Sequence, residues 1–325
     1  MARMSATLPT VADLGGVCDM LERPDGARLR WAWFAPPPDR PALLILIGYA
    51  EFLEKQLDTV AMLRARDMGA LIFDWRGQGR STRACGDPQK GWIDRFETHL
   101  DDLDAVLAAA AARDPAARPP WPVLGHSMGG HLALRFAHRR PDACARLVLS
   151  APMIDIRMAL WQKALVNWFV DLMIALGQGR RYILAGGPQS QANRRFADNP
   201  LTSDPVRFAQ IFAFIDRDPA LAVGAPTYDW VKAARTSIAL TERAGFAEAI
   251  DQPVLMVMAG DDRIVETSAA ARLLARLPAG EGLILEGARH EVMLEAAPLR
   301  ARFWAAFDAF MGTTAKPTDC ARQDR

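Results

Sequence analysis

One pentapeptide constrains the fold of this chain more than any other feature: Gly125-His126-Ser127-Met128-Gly129. It follows a short apolar run at residues 122–124 and precedes a segment with helical spacing at residues 130–138. In a G-x-S-x-G turn, the serine lies on a sharp bend between a strand and a helix, and glycines two residues away on either side avoid a steric collision. The sequence therefore predicts Ser127 as an exposed nucleophile, the alternative being a glycine turn without catalytic meaning.

Apolar runs and helical segments alternate along much of the chain. The apolar runs predict strands at residues 43–47, 70–73, 122–124, 146–149, 253–258 and 283–285, and helical spacing is found at residues 61–68, 98–112, 130–138 and 299–311. Asp25-Gly26, between residues 18 and 34, is a typical hairpin turn that would join two strands near the N-terminus. Strands that alternate with helices favour an α/β fold, in which a mostly parallel central sheet carries helices on both faces.

This alternation stops after Pro152 and does not resume until residue 253. Within the interval, residues 158–176 form an amphipathic helical pattern rich in bulky apolar side chains, among them Trp161, Leu165 and Trp168. We interpret residues 153–250 as a helical cap inserted into a core of residues 1–152 and 251–312, with a polar tail at residues 313–325. The three side chains are candidates for substrate binding, although ordinary packing against the sheet would explain them equally well.

A serine hydroxyl is a weak nucleophile until a base takes its proton. Of the five histidines, His290 alone lies beyond residue 138, and it follows the strand predicted at residues 283–285. A fold with a strand–serine–helix turn of this kind has the chain order nucleophile, acid, base, which makes His290 the predicted base. Structural roles are expected for the other four histidines, which are His99, His126, His131 and His138.

The acid that orients the base should follow the penultimate strand. Asp261 and Asp262 both satisfy this condition, and their position alone does not distinguish them. The negative charge that develops on a reacting carbonyl also needs backbone donors. The predicted donors are the N–H groups of Tyr49, which follows the strand at residues 43–47, and of Met128, which follows the nucleophile. Tyr49 could instead serve only as a wall of the pocket.

Six segments of the chain resemble those of one enzyme group. Between about residues 18 and 312, the sequence is similar to the lysophospholipase and monoacylglycerol lipase group of the α/β-hydrolase superfamily. The matching segments are Gly48-Tyr49-Ala50-Glu51-Phe52, Asp74-Trp75-Arg76-Gly77-Gln78-Gly79-Arg80-Ser81, Gly125-His126-Ser127-Met128-Gly129-Gly130, Ser150-Ala151-Pro152-Met153, Gly260-Asp261-Asp262-Arg263 and Arg289-His290-Glu291.

The resemblance implies an α/β-hydrolase fold with a helical cap, an acyl tunnel beneath the cap, and no cofactor. It also implies Asp262 as the acid, because in this group the acid immediately precedes the arginine of a G-x-D-R segment. Two positions differ from the group. Ile47 precedes the loop glycine where monoacylglycerol lipases have histidine, and Gln78 stands where histidine is common. The loop looks more like that of bacterial lysophospholipases, so the head group of the substrate stays open.

Composition argues against several other classes of function. The chain has 39 Lys and Arg against 38 Asp and Glu, a balance that does not favour a nucleic-acid partner. Its four cysteines are dispersed, without a CxxC pair or a Cys/His cluster, so neither a metal site nor a disulfide framework is expected. The sequence shows neither the apolar core of a signal peptide nor an apolar run long enough to span a membrane. We expect a cytoplasmic protein, and peripheral contact of residues 158–176 with the inner face of the membrane is a hypothesis.

These features together predict a serine-dependent carboxylic-ester hydrolase that releases fatty acid from a lysophospholipid or a monoacylglycerol through an acyl-enzyme intermediate. One alternative is an esterase, thioesterase or amidase that acts on a different small apolar substrate, since the same catalytic groups would serve all three. A non-catalytic receptor on the same fold is less favoured, because a receptor has no physical need for a nucleophile, a base and an acid together.

Overall fold

An eight-stranded sheet forms the centre of the protein in a computed structural model that describes residues 8–190 and 194–316. Its order is β1-β2-β4-β3-β5-β6-β7-β8. The strands are Val17–Glu22 (β1), Arg28–Phe34 (β2), Ala42–Leu46 (β3), Gly69–Phe73 (β4), Trp121–His126 (β5), Cys144–Ser150 (β6), Val254–Ala259 (β7) and Gly280–Leu285 (β8).

The sheet is mostly parallel, as the sequence predicts. β1 and β2 form an antiparallel hairpin whose turn contains Gly26 at φ +80°, a left-handed conformation that glycine adopts without strain. β2 also runs antiparallel to β4, and the remaining neighbours from β4 to β8 pair in parallel. Every residue of β3, β4, β5 and β7 is buried, which explains why these strands appear in the sequence as continuous apolar runs.

Helices cover both faces of the sheet. They are Leu57–Arg64 (α1), Phe96–Arg113 (α2), Met128–Arg139 (α3), Leu160–Ala175 (α4), Pro205–Arg217 (α5), Tyr228–Thr241 (α6), Thr267–Leu274 (α7) and Ala297–Met311 (α8). Helices α2 and α3 pack together, and the salt bridge from Arg66 to Asp308 connects the chain just after α1 to α8. The helix predicted at residues 61–68 lies four residues earlier in the structure, because residues 65–67 form a turn, with Asp67 at φ 56°, that leads directly into β4.

Three helices, α4, α5 and α6, lie in the interval between β6 and β7. Side chains of α6, among them Trp230 and Ile238, belong to the same apolar cluster as the sheet. Side chains of α5 form a second cluster that includes Phe52 and Leu294 from the two flanking parts of the chain. Helix α4 differs from both, because Val170 is its one buried residue.

Lys316 is bound to Asp67 by its ammonium group, and Cys18, Cys85 and Cys144 are free thiols. Cys320 and most of the tail predicted at residues 313–325 lie outside the described residues. Within the described residues, no helix combines the length and the apolar character needed to cross a bilayer.

Candidate active site

Ser127 lies on the sharp turn between β5 and α3. Its backbone has φ 51° and ψ −118°, a strained conformation for a residue with a side chain. A Cβ atom on Gly129 would lie 1.9 Å from the carbonyl oxygen of Leu46, and one on Gly125 would lie 2.7 Å from the carbonyl oxygen of Gly129. Both positions therefore require glycine, which is the steric reason for the motif.

The three residues proposed for catalysis form a hydrogen-bonded chain with His290 in the middle. His290 Nε2 is 2.9 Å from Ser127 Oγ, and His290 Nδ1 is 2.8 Å from Asp262 Oδ2. All three side chains are largely buried, with exposed fractions of 8% for Ser127, 3% for His290 and 1% for Asp262. A low-dielectric setting of this kind strengthens the interactions between these groups.

The surroundings of Asp262 keep its carboxylate ionised. Burial alone would raise its pKa, but the hydrogen bond from His290, together with those from the N–H groups of Val265 and Ile264, lowers the pKa below its usual value. An ionised carboxylate only accepts hydrogen bonds, so Nδ1 of His290 carries the proton. Nε2 is then free to accept the hydroxyl proton of Ser127, which is the tautomer that a general base needs.

Asp261, the other candidate acid, occupies a different environment. Its side chain is exposed, and its backbone N–H donates to the carbonyl oxygen of Ala288. Asp262 is the aspartate that contacts His290. The role of Asp262 as the orienting acid, which the family resemblance implies, stays a prediction.

The loop of residues 48–51, here called the oxyanion loop, lies against the nucleophile. A Cβ atom on Gly48 would lie 3.2 Å from Ser127 Cβ, so glycine permits a close approach at this point. The N–H of Gly48 donates to Glu51 Oε2, and the N–H of Ala50 donates to Gln78 Oε1 at 3.0 Å. The N–H of Tyr49, between them, has no acceptor within the described residues.

Met128 offers a second backbone donor beside the nucleophile. It is the first residue of α3, where an N–H lacks a partner within the helix, and none is found elsewhere in the described part of the chain. The partial positive charge of the helix N-terminus adds to its attraction for an anion. Tyr49 and Met128 thus provide two unused N–H groups on the segments that flank Ser127.

Gln78, which departs from the family pattern, has a specific structural role. Its amide Nε2 donates to the carbonyl oxygen of Gly48 at 2.9 Å, while its Oε1 accepts from Ala50. The side chain is 3% exposed. Gln78 therefore binds the peptide units on both sides of Tyr49 and holds the oxyanion loop in place.

The candidate substrate-binding residues of the cap lie at the surface. Trp161 is 69% exposed, Leu165 is 56% exposed and Trp168 is 62% exposed, all on α4. The structure does not bring them to the buried cluster of Ser127, His290 and Asp262, and their side chains face solvent. Tyr49 instead contacts the cap from the core side, because its hydroxyl donates to the carbonyl oxygen of Gly224 at 3.0 Å and its ring lies 4.6 Å from that of Trp230.

Sequence reasoning missed a buried group of charged residues next to the site. Lys55 Nζ lies 2.5 Å from Glu51 Oε1 and 2.5 Å from Glu291 Oε1, and His126 Nε2 lies 3.3 Å from Glu291 Oε2. The four-residue spacing of Glu51 and Lys55, and the adjacency of Glu291 to His290, were the available signals. Neither signal distinguishes a buried ion pair from a solvated one.

The same group contains the one set of potential metal ligands found within residues 8–190 and 194–316: Glu51, His126 and Glu291. Their ligand atoms lie within 4.8 Å of one another. However, the Lys55 ammonium already contacts both carboxylates and supplies the positive charge that a metal ion would bring. The arrangement is that of an internal ion network rather than of a metal centre.

The chain is similar to known hydrolases over most of its length. Residues 37–297 match the family described as serine aminopeptidase, S33. The chain is 31% identical to lysophospholipase L2 of Escherichia coli (strain K12) over 296 residues, which cover 85% of this chain and 82% of that protein. It is 26% identical to the monoacylglycerol lipase of Mycolicibacterium smegmatis over 275 residues, which cover 83% of this chain and 88% of that protein.

A solved structure has a similar fold. A soluble variant of monoglyceride lipase from Saccharomyces cerevisiae, in complex with a substrate analogue, superposes with a TM-score of 0.73 at 20% identity, covering 97% of this chain and 100% of that one. This likeness supports the predicted α/β-hydrolase fold. Because the family match extends over well more than half of its length, the chain belongs to the serine aminopeptidase S33 family of α/β-hydrolases.

Proposed function

We propose that the protein is a serine-dependent hydrolase that releases fatty acid from a single-chain lipid ester, either a lysophospholipid or a monoacylglycerol. The observation that carries the proposal is the continuous hydrogen-bond chain from Asp262 through His290 to Ser127. The lipid substrate class is supported by the names of the relatives, a lysophospholipase and a monoacylglycerol lipase. No cofactor enters the proposed reaction.

The proposed reaction begins with attack of Ser127 Oγ on the ester carbonyl. His290 Nε2 takes the hydroxyl proton, and Asp262 stabilises the imidazolium that forms. As the tetrahedral intermediate collapses, His290 protonates the departing alcohol and an acyl-enzyme remains. His290 then activates a water molecule, which attacks the acyl carbonyl and releases the fatty acid with regeneration of Ser127.

The N–H groups of Tyr49 and Met128 are the proposed donors to the oxyanion. Each is unoccupied within the described residues and flanks the nucleophile, so the donors are in place before the charge develops. Preorganised donors of this type contribute about 10²- to 10³-fold each to the rate of acyl transfer. The hydrogen bonds of Glu51 and Gln78 to the neighbouring peptide units restrict the movement of this loop.

Thioester or amide hydrolysis is the second candidate, because the same groups would attack any acyl carbonyl. The matched family is named serine aminopeptidase, so the amide substrate to consider is a peptide with a free amino terminus. A free amino terminus would require an acidic pocket near Ser127. The buried acids of this region are already paired, Asp262 with His290 and both Glu51 and Glu291 with Lys55, so they favour an acyl group without a charged amine.

The exposed face of α4 suggests how a lipid would reach the site. Six large apolar residues of the α4 region are between 38% and 83% exposed: Leu160, Trp161, Leu165, Trp168, Leu172 and Leu176. A contiguous apolar surface of this kind is unusual on a protein that meets only water. We infer that the protein is cytoplasmic and that α4 lies on the inner face of the membrane. The apolar side chains of α4 would then insert into the interface between the lipid head groups and the acyl chains.

The function is tested by measuring fatty-acid release from lysophosphatidylcholine and from monoacylglycerol, side by side, for wild type and Ser127→Ala. Release that disappears in the variant would support lipid-ester hydrolysis, and the better substrate would identify the head group. If neither lipid is cleaved while a short activated ester is, the lipid assignment is wrong and thioesters and amides come next. Failure of a fluorophosphonate probe to label Ser127 would favour the receptor alternative.

A further inference from the structure

The ion network of Glu51, Lys55, His126 and Glu291 has no part in the proposed reaction, yet it is more buried than most charged groups in proteins. Its four side chains are between 2% and 7% exposed. Charges withdrawn from water to this extent cost several kcal/mol each unless they are paired and hydrogen-bonded. The network satisfies this requirement with two carboxylates and two basic side chains, so its retention calls for a physical explanation.

His126 takes part in the network as a cation. Its Nδ1 lies 3.0 Å from the carbonyl oxygen of Ser150, and its Nε2 lies 3.3 Å from Glu291 Oε2. A carbonyl oxygen and an ionised carboxylate can only accept, so both ring nitrogens carry protons. Burial alone would lower the pKa of His126, but the carboxylates of Glu291 and Glu51 outweigh burial and raise it. The pKa of Glu291 is lowered, since Lys55 and His126 outweigh its burial.

Each carboxylate of the network also belongs to a segment that carries a proposed catalytic group. Glu51 Oε2 accepts the N–H of Gly48, within the oxyanion loop. Glu291 is the residue after His290 in the chain. His126 precedes Ser127 and its ring lies 5.0 Å from that of His290. The three segments are far apart in sequence, and Lys55 is the group that contacts both carboxylates.

We propose that Lys55 is a positioning residue that, through Glu51 and Glu291, fixes the oxyanion loop relative to His290 and Ser127. Lys55 touches no reacting atom in this proposal. It holds Glu51 in the orientation that occupies the Gly48 N–H and leaves the Tyr49 N–H for the oxyanion. This inference rests on the proposed function, because it assigns a role within the same catalytic site.

The expected effect follows from the geometric demands of catalysis. Donors stabilise an oxyanion only within hydrogen-bond distance of the position that it will occupy. Loss of the Lys55 ammonium leaves Glu51 and Glu291 as neighbouring carboxylates that repel each other. We expect Lys55→Met to lower kcat about 10- to 100-fold, less than the loss of a donor, with KM changed less than about threefold, since the misplaced contact forms only in the transition state.

Arg66→Met is the matched control. Arg66 is 6% exposed and its guanidinium binds both oxygens of Asp308 at 2.7 and 2.8 Å, so its loss also leaves a carboxylate unpaired. Arg66 precedes β4, at the opposite end of the parallel strands from Ser127, which follows β5. We expect Arg66→Met to reduce thermal stability while kcat per active site stays at the wild-type level.

The experiment measures ester hydrolysis and the rate of fluorophosphonate labelling of Ser127, each normalised to the number of sites that label at completion. Labelling depends on the same oxyanion donors and therefore reports on the site even if the lipid substrate is misassigned. Where Lys55→Met does not fold, Glu51→Gln provides the second variant, since it removes one charge but keeps the side-chain size. A selective loss of kcat and labelling rate in Lys55→Met or Glu51→Gln would support the proposal.

Two outcomes would overturn it. Folded Lys55→Met or Glu51→Gln with wild-type kcat and labelling rate would show that the network does not position the loop. A loss of kcat no larger than that of Arg66→Met would assign the network to stability alone. Failure of the proposed function has a different signature, because wild type itself would then release no fatty acid from either lipid, whatever the variants do, and a site without a catalytic serine would also leave Ser127 unlabelled.

Discussion

At the scale of single residues, two adjacent aspartates show how far local environment separates chemically identical groups. Asp262 contacts His290 Nδ1 at 2.8 Å and accepts two backbone N–H groups, whereas Asp261 is exposed. If Asp262 is the orienting acid, its replacement by asparagine should favour the wrong tautomer of His290. Asp261 should tolerate the same change.

We therefore expect Asp262→Asn to lower kcat by about 10⁴-fold, the size of the loss when the acid of a serine protease triad is converted to its amide. The matched variant Asp261→Asn should stay close to wild type. Steady-state kinetics with a short soluble ester checks both, since such an ester avoids effects of lipid access. Comparable losses in the two variants would contradict the assignment of Asp262.

His131 gives a pH-dependent prediction at the same scale. It is fully buried beneath the nucleophile turn, its Nε2 lies 2.6 Å from Ser237 Oγ, and burial lowers its pKa from 6.5 to about 3. Between these values the unfolded chain binds a proton that the folded protein does not. The contribution of His131 to stability is therefore complete above pH 6.5 and is lost as the pH falls, at about 1.4 kcal/mol per pH unit.

Replacement of His131 by glutamine removes this pH-dependent contribution to the free energy of unfolding. The free energy of unfolding of His131→Gln, measured with urea between pH 6 and pH 4, should fall less steeply than that of wild type by about 1.4 kcal/mol per pH unit. His138→Gln is the control, because His138 is an exposed histidine near the end of the same helix. Equal slopes in wild type and His131→Gln would show that the buried ring does not stay neutral.

Residues whose chemistry depends on local sequence could be predicted, and residues whose role depends on distant contacts could not. Ser127 is marked by its flanking glycines, and His290 by its place after the last strand. Lys55 is not marked, because its partner Glu291 lies 236 residues away and a buried lysine looks like any surface lysine in a sequence. The hydrogen bonds of Gln78 to the oxyanion loop were hidden for the same reason.

At the scale of secondary-structure elements, the strands that are fully buried were the ones most easily predicted from the sequence. β3, β4, β5 and β7 are buried on both faces, and each was visible as an apolar run. Helix α7 was missed, because it is short and its buried residues are two alanines and one leucine, which give a weak apolar stripe. Helices α5 and α6 were recognised only as parts of a cap, since their apolar residues face two different clusters.

Helix α4 carries a prediction of its own. Its apolar residues at positions 161, 165, 168 and 172 are spaced by three or four and form one exposed stripe. Trp161→Ala combined with Trp168→Ala should abolish co-sedimentation with vesicles of phosphatidylethanolamine and phosphatidylglycerol, because two interfacial aromatic anchors are lost. Hydrolysis of a short soluble ester should be unchanged.

A control variant separates this effect from a general loss of apolar surface. Val206 on α5 and Ile284 on β8 are 52% and 43% exposed, and changing both to alanine removes apolar groups elsewhere on the protein. This variant should bind vesicles as wild type does. If wild type itself stays in the supernatant, or if both variants bind equally well, α4 does not contact lipid and its exposed side chains need another explanation.

At the scale of the whole molecule, the parts of the cap differ in how extensively they pack against the core. The sequence suggested one insertion at residues 153–250. In the structure, α6 lies in that interval yet shares an apolar cluster with the sheet, with Trp230 6% exposed and Ala234 fully buried. The ring of Trp230 also packs against Tyr49 and Phe96 of the core. Unfolding of α6 would therefore remove apolar contacts from the core itself.

We accordingly expect the central sheet, its flanking helices and α6 to unfold together, in one transition. Trp230→Ala should lower the free energy of unfolding by about 3 to 5 kcal/mol, the usual cost of removing a large buried aromatic side chain. Trp161→Ala, at a cap position that is 69% exposed, should change it by less than about 0.5 kcal/mol. Urea titration followed by far-UV circular dichroism measures both without relying on tryptophan fluorescence. A two-step transition in which Trp230→Ala shifts only the first step would show instead that the cap, including α6, unfolds independently of the sheet.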